Sequence, residues 1–264
     1  MRKYKKKPYR IKKKKSVLKN RFFWLGVLFL CLLVFLSYFL FFSDTYQVKK
    51  IIITGEQKVS EEEFRLLIEK KLENKILFWK TKSIFLFNLE EIRKDILDNF
   101  PQTAEIQIRR EIPDTIIILV RERAGVANWC QEEHCFLLDI DGVIFEENSS
   151  NPELIKIMDR QKLPPFILGT KVIEKDFLSK ILEVERKLKT DFNLLLQEIS
   201  LVSEERLNIK TAEGWEIFLN PQGDIGWQIT KLSTVLAEEI PPENRDNLDY
   251  IELRFGNFAP YKYK

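Results

Sequence analysis

The chain has 264 residues and a mass of 31.5 kDa, enough for one or two modest domains. Its 43 Lys and Arg against 40 Asp and Glu balance only in sum: residues 1–21, MRKYKKKPYRIKKKKSVLKNR, hold 12 basic side chains and no acid, leaving 31 basic against 40 acidic after Phe42. A basic head on an acidic body is electrostatically two proteins, and with three cysteines and one histidine a four-ligand Cys/His zinc site is excluded outside the apolar segment that holds Cys31.

The head, 1–21, cannot bury apolar area and reads as a disordered topology signal. Attraction to anionic headgroups is a by-product, and nucleic-acid phosphate is the other ligand such lysines would take. Residues 22–42, FFWLGVLFLCLLVFLSYFLFF, carry no charge and would span roughly 30 Å as a helix, the thickness of a hydrocarbon core. The following FLFFSDTY has no small-residue cleavage pattern, so the segment reads as a retained transmembrane anchor. The basic flank predicts a cytoplasmic N-terminus and a body outside the cytoplasm.

VKKIIITG (Val48–Gly55) reads as a strand ending at glycine. VSEEEF then starts a helix, with Ser60 as cap, Glu63 completing a capping box and Val59 stapling to Phe64; Phe64, Leu67, Ile68 and Leu72 form its inner stripe. KILFWKTKSIFL (Lys75–Leu86) is apolar and aromatic without a period, and fits either a docked loop or a contact patch. A second helix start follows: Asn88 caps, Glu91 sits three further on, and Phe87 faces Ile92. Leu89, Ile92, Ile96 and Phe100 point inward before Pro101. TAEIQIRREIP alternates as a strand with one wet face, and DTIIILVRERAGVANW is a more apolar strand.

Strand, helix, helix, strand, strand is the order of a small α+β domain. VKKIIITG, NLEEIRKDILDNFP, AEIQIRREIPDTIIILVRER and GVANW closely resemble the POTRA module of the bacterial division family FtsQ/DivIB, with Gly125 where that family often has proline. The resemblance implies a POTRA domain at 46–124 and a β-rich domain with flanking helices at 125–264.

Cys130 and Cys135 flank QEEH at a predicted hairpin tip. A disulfide is permitted outside the cytoplasm, free thiols are the alternative, and a metal site with His134 lacks a fourth ligand.

FLLDIDGVIF (Phe136–Phe145) resembles the opening motif of haloacid-dehalogenase phosphatases, which would make Asp139 a nucleophile and Asp141 a general acid. That chemistry also needs a distal lysine and an acidic pair for magnesium; NPQGDIGWQ offers Asp224 but has Gln228 where the second carboxylate is expected. Asp-Gly between apolar runs is a strong hairpin signal, read here as a type I′ turn with positive φ at both central residues. The FtsQ/DivIB family has a similar stretch here, implying the first hairpin of its second domain.

LPPFILG, a helix over Glu174–Lys189 with Phe177, Ile181, Leu182 and Leu188 inward, strands in EISLVSEERLNIKT and GWEIFLNPQGDIGW, and a helix packing Ile229, Leu232 and Leu236 follow. LDYIELRFGNFAPYKYK closes the chain in the manner of the family. The resemblance implies that Tyr250–Phe255 and onward to Tyr263 is a docking edge for small bitopic partners of the FtsB/FtsL or DivIC type, received by β-strand addition. Tyr250, Leu253, Phe255, Phe258 and Tyr261 are the expected contacts, because aromatic anchors carry much of an interface's energy. Alternation requires half of such a strand to face the core, and Pro260 interrupts main-chain donation. The resemblance further implies a scaffold without cofactor or catalysis, recruited to the septum through its POTRA domain and helping control peptidoglycan synthesis. A POTRA-bearing anchor in protein translocation or assembly is the alternative, although such proteins usually carry the module in tandem.

Overall fold

The protein is described by a computed structural model over residues 21–55, 59–72, 74–76, 79–147, 151–160 and 167–264. The basic head before Arg21, Leu77 and Phe78 of the aperiodic segment, and Leu163–Phe166 of LPPFILG lie outside these residues. By internal packing the chain forms two compact units. One comprises residues through Ile52 together with Ile68–Asn88 and Arg109–Ile117; the other comprises Ile53–Leu67, Leu89–Ile108 and Ile118–Lys264.

Helix α1 (Arg21–Phe42) buries none of its side chains and is long and apolar enough to cross a membrane. A helix apolar on every face has no stripe to turn toward a protein core.

The next elements make a small α+β domain. Strand β1 (Lys50–Thr54) alternates, with Ile51 and Ile53 buried between exposed neighbours. Helix α2 (Glu61–Leu72) begins where the Ser60 hydroxyl accepts from the Glu63 amide at 3.3 Å, and it buries Phe64, Ile68 and Leu72. The aperiodic segment contains a short antiparallel pair, β2 (Asn74–Ile76) and β3 (Trp79–Thr81). Helix α3 (Leu89–Asn99) follows Asn88 and buries Ile92 and Ile96. Strands β4 (Thr103–Glu111) and β5 (Thr115–Glu122) complete a three-stranded sheet of order β1-β5-β4. The central strand is β5, which explains its near-continuous apolar run, IIILV.

The remaining chain builds a mixed sheet, nine-stranded among the described residues, of order β14-β13-β12-β11-β10-β9-β6-β7-β8. Its strands are β6 (Ala127–Gln131), β7 (His134–Leu138), β8 (Ile144–Glu147), β9 (Lys156–Asp159), β10 (Leu196–Ser203), β11 (Arg206–Thr211), β12 (Glu216–Leu219), β13 (Leu248–Glu252) and β14 (Tyr261–Tyr263). Strand β9 runs parallel to both β6 and β10, and β12 runs parallel to β13; the other neighbours are antiparallel. Parallel neighbours need long crossovers. Helix α4 (Lys175–Phe192) lies between β9 and β10 in the chain, and α5 (Ile225–Glu238) between β12 and β13. Both helices bury an apolar stripe in one core with Trp129 and Trp215.

Several expectations change: the stretch DTIIILVRERAGVANW divides into β5 and β6, which lie in different sheets. Helix α4 buries Leu178 and Val184 alongside Ile181 and Leu188, while Phe177 and Leu182 are half-buried. The turn at Asp141-Gly142 is not type I′. The Gly142 amide donates to the Asp139 carbonyl at 3.1 Å, so Ile140 and Asp141 are the central residues, and of Asp139–Val143 only Gly142 has a positive φ, +82°. This is the type I turn followed by a left-handed glycine that closes slightly longer hairpins. Finally, β13 is an interior strand between β12 and β14, so the sheet's margin falls at β14.

Candidate partner-binding edge

Strand β14 is the end of the sheet, and its pairing is with β13: Leu248 opposes Tyr263, Tyr250 opposes Lys262 and Ile251 opposes Tyr261. No further strand among the described residues covers its outer side. Lys262 stands exposed there, 3.2 Å from Asp249, the kind of charge that discourages indiscriminate edge pairing.

The segment Leu253–Pro260 that joins the two strands is held by a single buried cation. Lys231 of α5 is 6% exposed, and its Nζ donates to the carbonyls of Leu253 (2.7 Å), Gly256 (3.1 Å), Phe255 (3.2 Å) and Phe258 (3.2 Å). An ammonium has three N–H donors, so four carbonyls share them. Burial pushes the Lys231 amine below its usual range, opposed by the charge of Glu252. Gly256 supplies the left-handed bend, at φ +46°.

Beside this cage lies a second buried charge. Burial works to raise the Glu252 carboxyl, but the hydrogen bonds and charge of Arg254 outweigh it, and the group lies below the usual carboxylate range. Arg254 meets it in a two-point fork, Nε to Oε1 at 2.9 Å and Nη2 to Oε2 at 2.6 Å, and stacks over the Phe255 ring at 4.9 Å.

The outcome is a loop with a fixed backbone and exposed aromatics. Phe255 is 63% and Phe258 78% exposed. Tyr261 is half-buried, its hydroxyl pushed up by a hydrogen bond with Glu239. Tyr250 is half-buried and stacked on Phe218 with ring centroids 5.0 Å apart. Leu253 is fully buried and belongs to the core, so it is withdrawn from the expected contacts. An open groove of about 540 Å³ runs between α5 and the loop, with Trp227, Thr234, Val235, Phe258, Pro260 and Tyr261 among its walls. Sequence reasoning missed Trp227, Lys231 and Arg254. A lysine between Ile229 and Leu232, on the stripe that α5 buries, was the available signal.

The Asp-x-Asp-Gly residues are engaged structurally. Asp139 is 3% exposed; its Oδ1 accepts from the amides of Asp141 (3.0 Å) and Val143 (2.9 Å), and its Oδ2 from Arg123. Asp141 is held below the usual range by its bond from Lys175 at 2.7 Å. Asp224 caps α5, accepting from the Trp227 amide. Cys130 and Cys135 are register partners across β6 and β7, with their sulfurs bonded at 2.01 Å. Among the described residues no group of His, Cys, Asp and Glu is arranged to hold a metal.

Comparison with known proteins gives two family matches. Residues 127–254 match the family model "Cell division protein FtsQ/DivIB, C-terminal", and residues 46–123 match "POTRA domain, FtsQ-type". The chain is 23% identical over 250 residues to the cell division protein FtsQ of Aliivibrio fischeri, covering 90% of this chain and 88% of that one. It is 21% identical over 164 residues to DivIB of Clostridium tetani (60% of each chain), and 31% identical over 103 residues to FtsQ of Rickettsia bellii (39% of this chain). The matched stretch spans 60% of the Clostridium protein and 35% of the Rickettsia protein.

Proposed function

Because the chain belongs to the FtsQ/DivIB family of cell-division proteins, we propose that it is a non-catalytic holder of partner chains in the bacterial division apparatus. In this reading α1 is a single membrane pass with the basic head in the cytoplasm. Residues 46–124 form the POTRA domain that recruits other division proteins, and residues 125–264 form the partner-binding domain. The partners are small bitopic proteins of the FtsB/FtsL or DivIC type, laid as an added strand along β14. Held there, they help control septal peptidoglycan synthesis.

The observation that carries this reading is the open margin of β14 beside a loop whose backbone is fixed while Phe255 and Phe258 remain exposed. Exposed large apolar side chains grouped at a sheet edge mark interaction surfaces, and an edge offers main-chain donors and acceptors. Phe255, Phe258, Tyr261 and Tyr250 are the proposed contacts, with Trp227 on the facing wall. Against the phosphatase alternative, Asp139 is 3% exposed and ion-paired with Arg123, which leaves a substrate little access to it. Translocation anchoring loses its ground because the matched relatives are cell-division proteins.

The test is capture of an FtsB- or DivIC-type partner by the full chain in detergent. Phe258→Glu is expected to leave the unfolding midpoint unchanged and to abolish capture. Undiminished capture removes the loop from the interface.

A further inference from the structure

The last carbonyls of a helix have no partner within it. At the end of α1 they are taken by side chains from two other segments of the same unit. Ser83 Oγ donates to the Leu40 carbonyl at 3.0 Å, and Thr81 Oγ1 and Gln47 Nε2 donate to the Phe41 carbonyl at 2.5 and 3.0 Å. Gln47 Oε1 in turn accepts from the Lys82 amide at 2.6 Å, and the Val48 amide donates to the Lys82 carbonyl at 3.0 Å. Thr81 and Ser83 are 4% and 0% exposed. The Phe39 ring meets Tyr46 at 5.7 Å and Tyr46 meets Phe85 at 5.4 Å, so rings close the same joint. The helix does not run out into a free linker; it is clamped.

Depth follows from the clamp. Leu40 and Phe41 stand near the far end of a 22-residue helix. At 1.5 Å rise per residue they lie about 30 Å along it, where a hydrocarbon core ends. Hydroxyls bonded to their carbonyls share that depth to within a bond length. Lys80 and Lys82 flank Thr81 and are exposed, as are Lys49 and Lys50 just beyond Val48. All four therefore fall in or beside the headgroup layer, roughly 5–8 Å thick on each face. The acids nearby are Asp44 at the helix end, and Glu111 and Asp114 at the β4–β5 turn, where the Asp114 carbonyl accepts from the Lys49 and Lys50 amides. A lysine rim is notable on a body with 40 acidic and 31 basic residues.

We infer that Lys49, Lys50, Lys80 and Lys82, with Tyr46 and Phe85, form a docking surface for anionic phospholipid headgroups around the point where α1 leaves the bilayer. Lysines beside interfacial aromatic rings are the side chains that hold a protein at headgroup level. The inference rests on the single-pass reading of α1.

The full chain with Cys31→Ser, its Cys130–Cys135 pair left oxidised, is reconstituted in vesicles and labelled with a nitroxide at Lys82→Cys. Label depth is read from oxygen against a water-soluble nickel chelate. In phosphatidylcholine with phosphatidylglycerol the label is expected at phosphate depth. Because the clamp ties the rim to α1, losing the headgroup contact moves anchor and rim together. Phosphatidylcholine alone, or Lys49→Glu/Lys50→Glu/Lys80→Glu in mixed vesicles, should therefore shift the label toward water. An aqueous value in both lipids overturns the inference, and so does a depth indifferent to lipid charge and to the lysines. A label at Leu33→Cys separates the two readings. Found in hydrocarbon, it leaves the single pass standing whatever Lys82 reports; found in water, it overturns the single pass and the inference together.

Discussion

Arg123, just past the end of β5, donates to Asp139, which closes the β7–β8 turn; the two side chains are only 14% and 4% exposed. Arg123 is fixed further by its Nε bond to the Pro101 carbonyl at 3.1 Å. Removing one member of a buried pair strands the other charge, which typically costs 3–5 kcal/mol. Arg123→Ala is therefore expected to lower unfolding free energy by about 3 kcal/mol in chemical denaturation. A loss under about 0.5 kcal/mol, the range of ordinary surface changes, would count against the pair as a fastening.

Lys231→Met keeps the length of the side chain and deletes its donors, leaving the carbonyls of Leu253, Phe255, Gly256 and Phe258 without their shared cation. Stability should fall by about 1–3 kcal/mol. The amides of Asn257 and Phe258 should exchange faster with deuterium, and partner capture should weaken although Phe258 is intact. Lys231→Arg should not restore capture, because a planar fork cannot replace a compact ammonium among converging carbonyls. Normal capture by the Met variant would show that the cage does not position the loop.

Glu252 gives a pH dependence with a definite sign. Its folded-state carboxyl lies below the reference value of 4.5, so the folded chain binds fewer protons there than the unfolded one. The stability it contributes is present in full above pH 4.5 and is lost as pH falls through the depressed value. In urea titrations Glu252→Gln should be less stable than wild type at neutral pH, and the gap should narrow on acidification below 4.5. A gap constant with pH would separate the effect from ionisation.

Gly142 has no room for a side chain. A Cβ there would stand 1.9 Å from the Ile173 carbonyl oxygen, and the backbone is already at φ +82°. Gly142→Ala adds a backbone clash to a left-handed strain that by itself costs about 1–3 kcal/mol. The variant should unfold at markedly lower temperature than Gly214→Ala, whose φ of +94° is similar but whose surroundings are open. Equal losses would remove the clash from the account.

The sequence made some of this legible because its signals were local. Ser60 and Asn88 announced α2 and α3, and alternation in β1 separated Ile51 and Ile53 from their wet neighbours. The aromatic tail pointed to Phe255 and Phe258, which the structure leaves exposed. Other features were set at a distance. That β13 lies inside the sheet depends on its parallel pairing with β12 across α5, which no short pattern encodes. Leu253 reads like its neighbours until that pairing turns it into the core. Asp-Gly announced a turn, but the number of positive φ angles was decided by the Asp139 carboxylate gathering the amides on either side of the glycine, those of Asp141 and Val143. Lys231 was hidden because its acceptors are carbonyls, which carry no residue signature.

Strand β14 is only three residues long and follows directly on Pro260, which has no N–H to offer. A chain laid along so short a ledge gains few main-chain bonds, each worth about 1 kcal/mol net. A partner resting there would be held chiefly by its side chains and could be lifted off without unzipping the sheet.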